Sequence, residues 1–262
     1  MQHLTILITG ASSGIGLELA KVSAAHKHNL ILVARNIQAL SNLKAQLEQA
    51  YAVSVHIIQK DLSVGNAAES LYNEVKLMGL SVDALINNAG FGDFGSFADT
   101  DWQKNHQMLE LNIVALTQLT HLFLKDMCEK GRGKIMNVAS TAAFQPGPKM
   151  AVYAATKAYV LSFSEAIQNE YASKGITVTA LCPGATQSGF MAAASMENAA
   201  IFKNKQLPTS AEVAEYGYKA MMKGKAVAIH GTLNYILANA GRFVPRGLVT
   251  KIARRVIEGG LK

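Results

Sequence analysis

Cysteine is scarce in this chain. There are two in 262 residues, Cys128 and Cys182, and they form no CxxC pair. That excludes a disulfide scaffold and points to a reducing compartment. Charge is also sparse, at 16% of residues against 50% hydrophobic, which excludes a disordered chain. No apolar run approaches the roughly 20 residues that span a bilayer. The early "LTILITG" is too short for a signal h-region, and no small-residue cleavage site follows it. The expectation is a soluble cytoplasmic protein. None of the seven histidines stands in an H-E-x-x-H or Cys/His metal spacing, so no metal is expected. His26 and His28 fall at a helix end, where cationic side chains suit the dipole. Internal repeats, low-complexity stretches and linkers are missing too. One domain over 1–262 is expected.

The net charge is +7, but its distribution is uneven. Residues 242–262 hold Arg242, Arg246, Lys251, Arg254, Arg255 and Lys262 against Glu258 alone, a local +5. The body is close to neutral, which argues against nucleic-acid binding. Positions 248, 249, 252, 253 and 256 share one helical face, with Arg254 and Arg255 away from it. Residues 232–262 therefore read as a basic helical extension. It packs on its own domain or a partner subunit, or it rests on an anionic membrane surface.

Short apolar, β-branched runs alternate with longer helical stretches. Strands are expected near 4–9, 29–34, 53–59, 83–87, 133–139, 176–182 and 225–230. Helices are expected near 14–27, 37–50, 66–78, 100–130, 152–174 and 210–223. Several strands are apolar at consecutive positions, as "LILVA" is at 30–34, which suits burial on both faces of a parallel sheet. The alternation predicts a Rossmann-type, doubly wound, mostly parallel seven-stranded α/β sheet with helices on both faces. The weakly patterned stretch 184–208 reads as a lid over a site.

"TGASSGIG" follows the first expected strand, with glycines at Gly10, Gly14 and Gly16. Glycines let the backbone approach a pyrophosphate, and the helix that opens near Gly14 aims free N–H groups at it. Ser12 and Ser13 can cap that helix or bond phosphate oxygens, and Ile15 completes the loop. No Gly-Lys-Ser/Thr follows, so it is not a P-loop. At the end of the second strand, where an acid would hold a ribose 2′-hydroxyl, stand Ala34, Arg35 and Asn36. The Arg35 guanidinium suits a 2′-phosphate and Asn36 can add a bond, so NADP(H) is expected over NAD. In "VYAATKAYV", Tyr153 and Lys157 lie one helical turn apart. A cation beside a phenol favours the phenolate, which makes a useful acid–base pair of an otherwise reluctant one. Ser140 ends a strand at the sheet edge where ligands bind in such folds, and its hydroxyl can hold a carbonyl oxygen. Cys182, in "TALCPG", reads as a buried small hydrophobe.

These pieces together resemble the short-chain dehydrogenase/reductases, from Thr5 to about residue 190. The match runs through "TGASSGIG", Asp61–Leu62, "NNAG" at 87–90, Asn112, "VAS" ending at Ser140, "YAATK" at 153–157 and "PGATQS" at 183–188. Within the family the chain looks most like bacterial NADP-dependent carbonyl reductases. The resemblance implies a tetrad of Asn112, Ser140, Tyr153 and Lys157. It implies that Asp61 and Leu62 meet the adenine, and that Asn87 braces the sheet while Asn88, Ala89 and Gly90 line the cofactor. Pro183, Gly184 and Thr186 would sit by the nicotinamide. Lys157 would bond its ribose, and Asn112 would hold a relay water. A homodimer or homotetramer through the helices near 100–130 and 152–174 is implied as well. Phe91, Phe94, Phe144 and Met150, with Phe190, Met191, Met196, Ile201 and Phe202 in the lid, suggest an apolar carbonyl substrate. The activity expected is NADPH-dependent exchange of a ketone and an alcohol. The rivals are a catalytically idle NADP-binding redox sensor and an epimerase on the same scaffold.

Overall fold

The computed structural model describes residues 3–187 and 207–258. Seven strands form one sheet: β1 (Thr5–Thr9), β2 (Asn29–Ala34), β3 (Val55–Gln59), β4 (Ala84–Asn87), β5 (Gly133–Val138), β6 (Ile176–Cys182) and β7 (Val227–Ile229). Their order is β3-β2-β1-β4-β5-β6-β7, and every pairing is parallel. The order reverses direction between β1 and β4. In open α/β sheets, that is where a crevice opens at the carboxyl ends of the strands.

The consecutive apolar residues are explained by two cores. Ile6, Ile8, Leu30 and Leu32 face a cluster that includes Leu19, Leu40 and Val213. Leu7, Ile31, Val33 and Leu85 face the other side, with Leu71, Leu119 and Phe123. The first cluster is covered by α1 (Gly14–Ala25), α2 (Ile37–Tyr51) and α7 (Ser210–Met222). The second lies under α3 (Ala67–Leu77), α5 (Leu116–Lys130) and α6 (Ala151–Tyr171). A strand buried on both sides cannot alternate polar with apolar, so its sequence reads as one unbroken run.

The helix expected over 100–130 is three pieces. α4 (Trp102–Leu109) leads into one π-helical stretch, Glu110–Ala115, which runs on into α5. The extra residue per turn rotates Asn112 relative to a regular helix, and such bulges mark functional positions. The C-terminal extension is two helices, α8 (Thr232–Ala240) and α9 (Arg246–Glu258). Of the expected lid, 188–206 lie outside the described residues, as do Phe190, Met191, Met196, Ile201 and Phe202. The base of that stretch is tied shut: Gln187 N donates to Pro208 O at 3.0 Å and Ser210 Oγ to Gln187 O at 2.8 Å.

His28 departs from its expected role as a cation at a helix end. It is buried, and burial lowers its pKa, so it is neutral at pH 7. Its Nδ1 accepts from Leu4 N at 3.2 Å and its Nε2 meets the Tyr218 hydroxyl at 2.8 Å, so it pins β1 to α7.

Candidate active site

Six strand ends deliver the expected residues to one edge of the sheet. β1 ends at Thr9 and turns through Gly10, whose φ of +67° is accessible without strain only to glycine. A Cβ at Gly10 would lie 2.9 Å from Ala89 Cα, and one at Gly16 would collide with the Gly10 carbonyl and the Asn88 amide. The loop is thus pressed onto the end of β4. Thr9 Oγ1 accepts from Asn88 N at 3.1 Å and from Ala89 N at 3.0 Å. Asn88 Nδ2 returns bonds to the carbonyls of Thr9 at 3.0 Å and Gly10 at 3.2 Å. Ser13 is the exposed residue before α1, and its side chain makes no capping bond. Ser12, Gly14 and Ile15 are partly exposed along the same loop.

At the end of β2, Arg35 is 77% exposed, and its nearest acid is Asp61 Oδ2 at 3.9 Å. A pair this long and this wet contributes little. The neighbouring cation Lys60 is engaged elsewhere, with Glu74 at 2.9 Å and Ser70 at 3.1 Å. Asn36 Oδ1 caps α2 by accepting from Ala39 N at 3.0 Å, a bond that does not engage its Nδ2 donor. Asp61 shapes its own turn, accepting from Ser63 N at 3.0 Å and Ser63 Oγ at 2.6 Å. Burial alone would raise its pKa, but those two bonds and Arg35 outweigh it and hold the carboxyl below its ordinary value. Leu62 is buried beside it.

β5 ends at Val138, and Ser140 follows in an extended conformation before a short 3-10 turn, Thr141–Phe144. Ser140 Oγ accepts from Ala142 N at 3.1 Å and also hydrogen-bonds the Tyr153 phenol. Tyr153 and Lys157 lie on the buried face of α6 with the Lys157 ammonium 5.8 Å from the phenol ring centre. Lys157 Nζ donates to Val138 O at 2.8 Å. The protein's own groups do not make the phenol more acidic, as the spacing had suggested. Burial pushes Tyr153 up to about 12, with the Ser140 bond pulling against it, and pushes Lys157 down to about 8. Both charged forms lose water here, and desolvation is the largest cause of each shift.

Asn112 is placed against this pair by the π-helical stretch. Its Nδ2 donates to Phe91 O at 2.9 Å and Thr156 Oγ1 at 3.1 Å, and its Oδ1 accepts from Phe91 N at 3.2 Å. The carboxamide is therefore committed to Phe91 and Thr156. A Cβ at Gly90 would sit 2.9 Å from Asn112 Oδ1 and 3.4 Å from Lys157 Nζ, so three segments converge at one point. Pro183 O accepts from Thr141 N at 2.9 Å, Thr186 Oγ1 donates to Gly184 O at 2.9 Å, and Asn234 of α8 lies against Gly184. Met108, Met150 and Tyr153 pack with Phe91 and Phe94 into an apolar wall beside the phenol. Cys182 is fully buried, with its thiol pushed up to about 12 by burial, which makes it no nucleophile.

Several contributors had no signal in the sequence reading. Thr9 and Thr156 are ordinary in composition and matter only through partners far along the chain. The Asn87 brace is visible as a chain: Asn87 Nδ2 donates to Thr120 Oγ1 at 3.0 Å and Asn137 Oδ1 at 2.9 Å, and Asn137 Nδ2 to Ser164 Oγ at 2.9 Å. It locks β4 to β5, α5 and α6 beneath the site. Among the described residues, no cluster of His, Cys, Asp or Glu could hold a metal ion.

Known proteins resemble this chain in sequence and fold. A family model described as short chain dehydrogenase matches residues 4–200. Mouse 17-beta-hydroxysteroid dehydrogenase type 3 is 33% identical over 181 residues, which cover 68% of this chain and 58% of that protein. Human very-long-chain 3-oxoacyl-CoA reductase is 31% identical over 183 residues, 68% of this chain and 57% of that protein. The chain thus spans under two thirds of the length of these curated relatives. The solved short-chain dehydrogenase from Sphingobium yanoikuyae in complex with NADPH is 30% identical, with a TM-score of 0.82 and 94% of each chain covered. The bulky-bulky ketone specific alcohol dehydrogenase from Comamonas testosteroni is 29% identical, with a TM-score of 0.79 and 96% of this chain and 95% of that one covered. With the parallel sheet, the glycine loop and the Ser140–Tyr153–Lys157 cluster in place, the chain belongs to the short-chain dehydrogenase family.

Proposed function

We propose that this protein is an NADPH-dependent reductase of apolar ketones, with Tyr153 as the proton donor. The observation that carries the reading is the convergence of Ser140, Tyr153 and Lys157 beside the glycine loop. The cofactor is NADP(H), and the residues present fit it. Gly10 and Gly16 leave room only for backbone, the Ser13 hydroxyl is free of capping duty, and Arg35 is the cation at the 2′-phosphate position with no carboxylate at Ala34. The Gly10–Gly16 loop and the N-terminus of α1 would hold the pyrophosphate, and Asp61 and Leu62 the adenine. Asn88, Ala89, Gly90, Pro183, Gly184 and Thr186 would flank the rest. When bound, the cofactor supplies a hydride to the carbonyl carbon.

The chain's own groups handle the oxygen. As negative charge develops there, the Ser140 hydroxyl donates to it and the Tyr153 phenol delivers its proton. A phenol held near 12 is fully protonated at neutral pH, which is the form reduction needs. The reverse oxidation needs tyrosinate, the form that burial opposes. Lys157 carries three N–H donors, one of them held by Val138 O, and the others are available for a ribose. Asn112 ties the Phe91 backbone to Thr156 of α6 by its hydrogen bonds. The Met108, Met150, Phe91 and Phe94 wall favours an apolar substituent on the carbonyl. The relatives named for hydroxysteroid, oxoacyl and bulky ketone substrates fit that class.

A homodimer or homotetramer through α5 and α6 completes the reading. Tyr159 stacks on Phe163 at 5.7 Å and bonds Thr117 across to α5 at 3.0 Å, presenting a partly exposed aromatic face. Two free cysteines suit a cytoplasmic, reducing setting. The test is a panel of apolar ketones, aldehydes, β-ketoacyl thioesters and oxosteroids with the purified protein. NADPH should be consumed one-for-one with alcohol formed. Bound NADPH with no consumption across the panel would favour the redox-sensing reading, and redox-neutral interconversion of an alcohol would favour epimerisation.

A further inference from the structure

The C-terminal arm leaves several large apolar residues exposed. α9 buries only Ala253 fully, and α8 only Ala238. Leu248 and Ile252 are 50% and 44% exposed, and Phe243, in the turn between the helices, is 88% exposed. Monomeric surfaces rarely leave apolar residues in contiguous strips without a partner. The chemistry of the partner is indicated by what flanks the strip. Leu248 and Ile252 are the exposed edge of the apolar face, and Lys251 and Arg255, at i+3 and i+7 from Leu248, border that edge, so apolar and cationic side chains adjoin in one exposed stripe down α9. The single acid of the arm, Glu258, pairs with Arg254 at 3.1 Å. Among the described residues, no acid lies within ion-pair distance of Lys251 or Arg255. Arg242 and Arg246 bracket Phe243 at the turn and are exposed as well.

A second copy of the chain would bring like charges face to face, which disfavours self-docking. An apolar protein groove would leave Lys251 and Arg255 unpaired. An anionic interface satisfies both chemistries at once, because aliphatic side chains enter the acyl boundary while cations meet headgroups. Among the described residues, no helix is long and apolar enough to cross a membrane, so the contact is with the surface. We propose that the α8–α9 arm docks this protein on an anionic lipid bilayer, with the Leu248–Arg255 stripe and Phe243 as the contact. The proposal is independent of the reductase reading, since its readout is binding and not turnover.

The test is flotation of the full-length protein with vesicles of phosphatidylcholine alone or with phosphatidylglycerol. Binding is expected only with the anionic lipid, and it should fall as salt is raised. Each basic residue near such a surface is worth about fivefold in partitioning, so Lys251→Gln with Arg255→Gln should weaken binding about 25-fold. Leu248→Ser with Ile252→Ser should weaken it by at least tenfold, with circular dichroism unchanged in both pairs. Lys174→Gln with Lys223→Gln, exposed cations outside the arm, should leave it within about twofold. No flotation with anionic vesicles at low salt would overturn the proposal. So would equal losses from the arm and control pairs, which would mean the net charge alone binds. Concentration-dependent self-association abolished by the Leu248/Ile252 pair, without vesicle binding, would assign the stripe to a second copy instead.

Discussion

Replacing Lys157 with methionine should make this protein more stable at neutral pH while disabling it. The ammonium is buried, and burial lowers its pKa from 10.5 to about 8. Below pH 8 the folded protein therefore carries a charge it holds reluctantly. At about 1.36 kcal/mol per pH unit, the gap corresponds to an upper limit of about 3 kcal/mol. Methionine removes that penalty and keeps most of the stem's packing. It also removes the bond to Val138 O, which leaves a buried carbonyl short of a donor and costs about 1 kcal/mol or somewhat more. The net expectation is a gain of about 1–2 kcal/mol at pH 7, or a few degrees in Tm for a domain of this size. The sign with pH is specific. Between about 8 and 10.5 the unfolded lysine binds more protons than the folded one, so wild-type stability rises through that window. About 2 kcal/mol of the penalty is gone by pH 9.5, and the variant's advantage should vanish or reverse there. Tyr153, whose folded pKa is raised to about 12, loses stability only above its unfolded value of 10.0 and is common to both proteins, so it cancels in the difference. Urea melts of both proteins without cofactor at pH 7 and 9.5 are the assay. A variant less stable at pH 7, by an amount that does not change with pH, would refute the reasoning.

Two further outcomes are expected. Arg35→Leu should lower kcat/KM for NADPH about tenfold relative to NADH, the low end for a charge-assisted contact because Arg35 is 77% exposed; an unchanged ratio of the two cofactors would remove Arg35 from the 2′-phosphate site. Thr9→Val should cost about 1–3 kcal/mol, because the Asn88 and Ala89 N–H groups lose a buried acceptor, and should weaken NADPH binding through the loosened Gly10 turn; a variant with wild-type Tm and Kd would show that the turn is held by other means.

Much of this was readable from residue patterns, for identifiable reasons. Strands such as β2 announce themselves because both faces are buried and every residue from Leu30 to Ala34 is apolar. The glycine loop is legible because its turn demands positive φ at Gly10 and Gly14. The π-helical stretch at Glu110–Ala115 was not, since "ELNIVA" carries no local mark of it, and the reward for the distortion lies in Asn112 reaching Phe91 and Thr156. The direction of the Tyr153 pKa was likewise beyond helical spacing, which places Lys157 beside the phenol but says nothing of burial. His28 departs from its expected role for the same reason: burial lowers its pKa, and its ring bonds Tyr218, 190 positions away. The capping role of Asn36 Oδ1 toward Ala39 N depends on where α2 begins. The amphipathic tail was legible as a helix, and only the fold shows that its stripe stays exposed.

The account stands most directly on Tyr153→Phe, assayed as single-turnover NADPH oxidation with an accepted ketone alongside NADPH binding by fluorescence. The phenol hydroxyl is the only atom removed, and its proton is the one the developing alkoxide requires. Turnover should fall by at least about 100-fold, the lower range for a general acid, with the NADPH Kd within about threefold of wild type. A variant that reduces the ketone at a comparable rate would contradict the assignment of Tyr153 as proton donor.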